Sequence, residues 1–166
     1  MAHWTDGIVS RKACQEAVDY CLPFPSFQSA WDSCAEPGWL VWCAGRNVNV
    51  DGAAHRIMVS RACALVRTLT AGIADSRREP LLVAAEGWAA QTLTKPQALA
   101  AMTSMSAPMN YDPMEAAHQS AQWCLKSVES PTTLHEVIES LIRGVGVSKA
   151  TLIATVRAQN PNAPNW

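Results

Sequence analysis

A glycine-broken turn near the C-terminus is the clearest candidate for nucleic-acid chemistry in this chain. Residues 142–153 read Ile-Arg-Gly-Val-Gly-Val-Ser-Lys-Ala-Thr-Leu-Ile. This order resembles a helix-hairpin-helix, in which backbone N–H groups at a helix start hold a DNA phosphate. It also resembles the turn and recognition-helix start of a helix-turn-helix, although Ile142 stands where that motif requires a small residue. The candidate nucleic-acid-binding residues are Gly144, Gly146, Ser148 and Lys149.

The same turn also has a purely structural interpretation. The glycines would break the chain between two helices, and Ser148 would cap the second helix. Residues 131–166 carry three basic and two acidic side chains, a net charge of +1. Such a small excess is weak for a protein that binds phosphates. The structural interpretation is therefore favoured, and nucleic-acid binding stays an alternative.

Arginine is concentrated in residues 46–78, which carry six arginines against two aspartates. The net charge of this segment is +4, whereas residues 1–45 and residues 79–130 each have −3. Apolar residues at helical spacing predict a long helix from about Ala53 to Ala74, and Arg56 and Arg67 fall three turns apart on one face of it. If that face is exposed, they are the candidate partner-binding residues, because a guanidinium pairs two acceptors at once. The alternative, which is favoured, is that the acidic segments neutralise the arginines within the fold.

Residue types used in catalysis are present without a recognisable arrangement. The six cysteines form no Cys-x-x-Cys pair, so their spacing favours buried thiols at helix contacts over a zinc site. His55, His118 and His135 fall on three different predicted helices. The sequence has no phosphate-binding glycine motif and no Ser/His/Asp order. We therefore expect no catalytic residue, no metal, no cofactor and no enzymatic activity.

Length and composition are those of one globular domain. The chain has 166 residues, of which 49% are hydrophobic and 16% charged, with a net charge of −1. This length supports a proper core, and the small net charge offers no general attraction to nucleic acid or anionic membranes. The N-terminus lacks the pattern of a signal peptide, and no run reaches the ~18 apolar residues of a membrane span. We expect a cytoplasmic protein with one helical domain over residues 1–159 and an irregular tail at 160–166.

Apolar residues recur at spacings of three and four in almost every ordered segment, which predicts helices. A weak repeat, offset by 35 residues, aligns Trp88 with Trp123 and Pro96 with Pro131. Each copy is a tryptophan-bearing helix followed by a proline-started helix, a unit typical of helical hairpins. No alternating run of strand length occurs. The predicted fold is an all-α, single-domain bundle of about eight to nine short helices with two stacked helical hairpins and no sheet.

Two segments are unusual in composition. Residues 30–46 contain three of the seven tryptophans and two of the six cysteines. Since each indole buries a large apolar area, Trp31, Trp39 and Trp42 are predicted to be buried together in a packing centre. Residues 101–114 contain four of the six methionines. Methionine adapts to irregular surfaces, so this loop is either a partner contact or a gap filler.

Short motifs over residues 10–93 resemble a loosely defined group of small helical proteins of bacteria and their phages, some named as immunity proteins. The residues that carry the resemblance are Ala13-Cys14 through Ala17, Ala30-Trp31 to Cys34, Trp39-Leu40-Val41-Trp42 with Gly45-Arg46, Arg61-Ala62-Cys63-Ala64 and Glu86-Gly87-Trp88-Ala89-Ala90. Further along, the group has Ala/Tyr-rich repeats, where this chain has the methionine-rich loop. The resemblance brings no catalytic residues with it.

What the resemblance implies is an all-helical protein, encoded by a phage or mobile element, that works by binding. The expected function is a non-enzymatic protein-binding domain. Its most concrete form is an inhibitor of a host defence complex, anti-CRISPR-like in role, which would act in the host cytoplasm on a host or phage protein complex. The alternatives are a nucleic-acid-binding regulator that uses residues 142–153 and a toxin-neutralising immunity protein. The sequence does not indicate an oligomeric state.

Overall fold

A computed structural model describes residues 4–102 and 112–160 of the chain. Over these two ranges the chain forms α-helices and no strand, so the predicted all-α fold is confirmed. The described α-helices are α1 (Asp6–Ser10), α2 (Gln15–Cys21), α3 (Phe27–Ser33), α4 (Pro37–Arg46), α5 (Ala53–Leu69), α6 (Arg78–Ala89), α7 (Lys95–Leu99), α8 (Pro113–Lys126), α9 (Leu134–Ser140) and α10 (Lys149–Gln159). A 3-10 turn (Pro131–Thr133) precedes α9, and a π-helical turn (Leu141–Val145) follows it. Met105, Met109 and residues 161–166 of the predicted tail lie outside the described residues.

Local signals explain where the helices begin. The Ser26 hydroxyl accepts a hydrogen bond from the Ser29 N–H at the start of α3, and Asp112 caps α8. Thr94 forms a reciprocal capping box with Gln97 at the start of α7. Such caps satisfy backbone N–H groups that have no partner inside the helix. These three caps fix the starts of α3, α7 and α8.

The main core lies between α5, α6, α8 and α9. Val59 and Val66 of α5 are fully buried there, against Leu82 of α6 and Leu125 of α8. The pairs α6–α7 and α8–α9 correspond to the two predicted hairpins, and they stack through an extensive contact between α6 and α8. Helix α5 ends at Leu69, whereas the apolar spacing predicted a helix as far as residue 74.

The N-terminal helices α1, α2 and α3 form a layer with smaller apolar clusters of its own. Ile8, Cys21 and Ala30 make one cluster, while Trp31 packs with Leu40 of α4 in another. The last helix, α10, holds this layer in place. Arg157 Nη2 donates to the carbonyl oxygens of Trp31 and Cys34 at 2.8 and 2.9 Å, and Lys149 Nζ lies 2.7 Å from a Glu36 carboxylate oxygen.

Candidate functional site

A groove of about 570 Å³ opens where the N-terminal layer meets α4 and α9. We call it the aromatic groove. A volume in the range of roughly 300–1,000 Å³ is typical of ligand sites. The groove is lined by Ile8, Lys12, Ala13, Cys14, Ala17, Tyr20, Cys21, Phe27, Ala30, Trp31, Cys34, Gly38, Trp39, Leu40, Trp42, Cys43, His135, Glu136, Glu139 and Arg143.

Helix α4 places both of its tryptophans along this groove. Leu40 and Ala44, one turn apart, form the buried stripe of α4. Trp39 and Trp42 lie beside that stripe and are only half-buried, whereas Trp31 of α3 is 2% exposed. The three indoles were predicted to be largely buried together; Trp39 does pack against the cluster that contains Trp31, whereas Trp42 is in none of the apolar clusters of the described residues. A ten-residue helix with Leu40 and Ala44 facing inward has no further core face for them.

Aromatic contacts hold the groove walls together. The Tyr20 ring lies 5.1 Å from the Phe24 ring and 5.7 Å from the Trp39 ring, measured between centroids. The Phe27 and Trp31 rings meet edge to face at 6.3 Å. These separations are in the range of favourable aromatic pairs, each of which adds about 0.5–1.5 kcal/mol beyond its buried area. The groove therefore has walls of ordered rings from three different helices.

The Trp31 indole carries an unsatisfied donor. Its Nε1–H is buried and has no hydrogen-bond acceptor in the structure. The indole nitrogen can only donate, so no other bond on that atom compensates. A buried donor without an acceptor costs about 1–3 kcal/mol of folding free energy. The unsatisfied donor therefore belongs to one of the residues that line the groove.

Cys14, Cys21, Cys34 and Cys43 line the groove, and burial keeps the last three thiols protonated. Burial raises the pKa of Cys21 to about 11 and that of Cys43 to about 12, and it also raises the pKa of Cys34. Since the thiolate is the nucleophile and metal ligand, these thiols act as small apolar groups. All six cysteines of the chain are free. Among the described residues, no group of three or more His, Cys, Asp or Glu side chains is arranged to hold a metal ion.

Charged side chains form the rim of the groove on the α9 side. Glu139 pairs with Arg143 at 3.0 Å, one turn along the helix, and Glu136 lies 3.2 Å from His135 Nε2. Lys12 stands on the opposite side, in the N-terminal layer. The two carboxylates balance the two permanent cations, so the rim presents no net charge to an incoming group.

A partner-binding role required Arg56 and Arg67 to lie on an exposed face of the helix. In the structure both side chains are only partly exposed. Arg56 lies over the Trp88 ring, 4.4 Å from its centroid, and its Nη1 donates to the Trp88 carbonyl. Arg67 binds Glu79 through Nε and Nη2, and its Nη1 donates to Glu86. Both guanidinium groups are partly buried against α6, because α5 packs alongside that helix. For Arg67 the geometry corresponds to the favoured alternative, in which the acidic segments neutralise the arginines, whereas the described contacts of Arg56 are with the Trp88 ring and carbonyl.

The four candidate nucleic-acid-binding residues all have contacts within the fold. A Cβ on Gly144 would lie 2.0 Å from the Ala116 Cβ, and Gly146 has a φ of +76° at the end of the π-helical turn. The Ser148 hydroxyl accepts the Thr151 N–H and so caps α10. Lys149 pairs with Glu36.

These contacts explain the glycines and the cap without a ligand. Glycine is needed where a helix approaches as closely as α8 does, and where φ is positive. The carboxylate beside Lys149 also opposes a phosphate at this helix start. The structural interpretation of residues 142–153 therefore explains the segment better than a phosphate-binding one.

The three histidines of the described helices have different surroundings. His55 is fully buried between two backbone groups, since its Nδ1 accepts the Asp51 N–H at 3.0 Å and its Nε2–H donates to the Ser127 carbonyl at 2.6 Å. His118 is 8% exposed, and burial lowers its pKa. Of these three, His135 borders the aromatic groove.

The aromatic groove was not predicted from the sequence. The one signal for it there was the density of aromatic residues between positions 20 and 42.

No protein-family model, curated protein sequence or solved structure matches this chain. The interpretation of the groove therefore rests on its geometry and chemistry. None of the described helices combines the length and apolar character that a membrane span requires.

Proposed function

We propose that this chain is a non-enzymatic binding protein and that a partner protein inserts an apolar side chain into the aromatic groove. The observation that carries the proposal is the groove itself, a concave surface with half-buried Trp39, Trp42 and Tyr20 on its walls. Tryptophan and tyrosine are the residue types that dominate binding energy at protein interfaces. A pocket lined by ordered rings also costs little entropy when it is filled.

The chemistry of the groove supports binding over catalysis. The raised pKa values of Cys21, Cys34 and Cys43 keep these thiols protonated at neutral pH, where they are poor nucleophiles. Of the two rim carboxylates, Glu139 is engaged by Arg143, and Glu136 lies beside the His135 ring. Most of the remaining groove surface is apolar.

The motif resemblance adds a biological origin and a class of partner to the proposal. It supports a protein of a phage or mobile element whose partner is a host defence complex, and a toxin is the alternative partner. No contact in the described residues favours the nucleic-acid-binding regulator, since the Ser148 cap and the Lys149–Glu36 pair already engage the residues it would use.

Blocking the groove tests the proposal. Ala17 of α2 lines the groove, and an Ala17→Trp variant would fill part of its volume. The tagged full chain, purified from the cells in which it is naturally made and analysed by quantitative mass spectrometry, should retain a partner that the Ala17→Trp variant loses. Ala13→Trp is a second, independent block, since Ala13 also lines the groove.

The matched control is Ala64→Trp, which makes the same change at an exposed position of α5 outside the groove. Circular dichroism and melting temperature establish that each variant is folded. Retention of every partner by both folded groove variants would exclude the groove as the binding site. Loss of the partner from the Ala64→Trp variant as well would mean that the recognition surface lies elsewhere or is much larger.

A further inference from the structure

The aromatic groove also indicates what kind of group its occupant carries, an inference that rests on the proposed function. The Trp31 indole is 2% exposed, lines the groove and has an Nε1–H without an acceptor. A group that brings an acceptor to this N–H replaces an unsatisfied donor with a hydrogen bond. An acceptor in the groove would reach this N–H if a wall side chain changed rotamer, which is a common event at interfaces.

The electrostatics of the groove favour an occupant without charge. The interior thiols Cys21 and Cys43 are neutral, and the two rim carboxylates balance Lys12 and Arg143. A charged group would be desolvated there, and the groove has no excess charge of either sign to compensate for that cost. An aromatic ring with a neutral acceptor meets both conditions.

We propose that the partner's anchor in the aromatic groove is an uncharged aromatic side chain accompanied by a carbonyl oxygen that accepts the Trp31 Nε1–H. The rings of Tyr20, Phe27 and Trp39 pack against the anchor ring. The carbonyl, from the partner's backbone next to the anchor, pairs with the buried indole. The recognised element is therefore a short protein segment centred on one aromatic residue.

Three flat probes of similar size separate the parts of this proposal. Naphthalene has no acceptor, quinoline has one neutral acceptor, and N-methylquinolinium has a positive charge and no acceptor. The ¹⁵N-labelled full chain is titrated with each probe at pH 7, and the indole N–H resonances of Trp31, Trp39 and Trp42 are followed by NMR. Quinoline should bind about 2- to 12-fold more tightly than naphthalene, the range that one net hydrogen bond provides, and should shift the Trp31 resonance most.

A matched pair of variants assigns the preference to one atom. Trp31→Phe removes the buried N–H and should make quinoline and naphthalene bind equally. Trp39→Phe removes a groove indole whose nitrogen is not an unsatisfied buried donor, and it should weaken both probes while keeping their ratio. If Trp31→Phe does not fold, the wild-type shift of the Trp31 resonance, assigned through bonds, gives the same test.

The outcomes distinguish this inference from the function on which it rests. Equal binding of quinoline and naphthalene to the wild type, or tightest binding of N-methylquinolinium, would overturn the uncharged-acceptor inference while the Trp39 and Trp42 shifts still support the groove as a binding site. If no probe shifts any of the three indole resonances, both the inference and the proposed function are wrong.

Discussion

Reversing the charge of Arg67 should destabilise the fold, because the structure gives this arginine two carboxylate partners on α6. Its Nε and Nη2 atoms lie 2.8–3.2 Å from the Glu79 carboxylate oxygens, and its Nη1 donates to Glu86. These bonds join α5 to α6 across the edge of the main core. An Arg67→Glu variant loses all of them and places three carboxylates side by side.

The size of the effect follows from the exposure of the pairs. The Arg67 side chain is 32% exposed, so each ion pair is worth about 0.2–1 kcal/mol of unfolding free energy. Arg67→Met should therefore cost roughly 0.5–2 kcal/mol in total, and Arg67→Glu, which adds repulsion, about 1–3 kcal/mol. Urea unfolding followed by circular dichroism measures both values. The loss should shrink in 1 M salt, where the Debye length is only ~3 Å.

The pH dependence has a defined sign. The Arg67 guanidinium lowers the pKa of Glu79 below its ordinary 4.5. The contribution of this pair to stability is therefore present above pH 4.5 and is lost as the pH falls through the lower folded-state pKa. The difference in unfolding free energy between the wild type and Arg67→Met should therefore disappear over that acidic pH range.

The control is Arg61→Glu on the same helix, since Arg61 is exposed and, among the described residues, donates one hydrogen bond, to the Gln159 carbonyl. The Arg61→Glu change should lower the unfolding free energy by less than either Arg67 change does. An Arg67→Glu protein as stable as the wild type would refute the intramolecular role. If that protein had also lost its partner, Arg67 would belong to an interface, as the other interpretation of the sequence holds.

Three further changes have expected outcomes. Gly144→Ala should lower the unfolding free energy by about 1–3 kcal/mol in urea titrations, since its Cβ would lie 2.0 Å from that of Ala116; a neutral effect contradicts that packing. Burial lowers the pKa of His55, whose Nδ1 accepts the Asp51 N–H, so stability should fall as the pH drops below 6.5, and His55→Gln should flatten this profile. Trp39→Ala should cost about 1–2 kcal/mol by thermal and urea unfolding, less than the roughly 3–5 kcal/mol of a fully buried tryptophan, because its ring is half-buried; a larger loss would place it in the core.

Helices were predictable because their determinants are local. Asp112 with Pro113, and Ser148 before Lys149, are start signals that act over three or four residues. The hairpin repeat was also visible, since Trp88 and Trp123 occupy equivalent positions on α6 and α8. The end of α5 was not predictable, because it depends on a distant side chain. Arg78 Nη1 donates to the Thr70 and Ile73 carbonyls and stabilises the turn there.

The partners of the arginines depend on how helices pack, which spacing within one helix does not determine. Arg56 and Arg67 share a face of α5, as the sequence indicated. Whether that face meets solvent or another helix is decided by the contact between α5 and α6. One signal was available: Glu79 and Glu86 are seven residues apart, which places two carboxylates two turns apart on one helix face.

The aromatic groove arises at the junction between the main core and the N-terminal layer, and that origin accounts for its properties. Residues on α2, α3 and α4 supply the rings, while α9 supplies the charged rim more than ninety positions later in the chain. A side chain such as Trp39 is half-buried because it packs at the edge of the cluster that contains Trp31 and Leu40 and is not enclosed by it. The layer depends on a few contacts from α10, among them the two hydrogen bonds from Arg157. Surfaces at such junctions belong to the less stable parts of a fold, and binding sites that adjust to a partner are drawn from those parts.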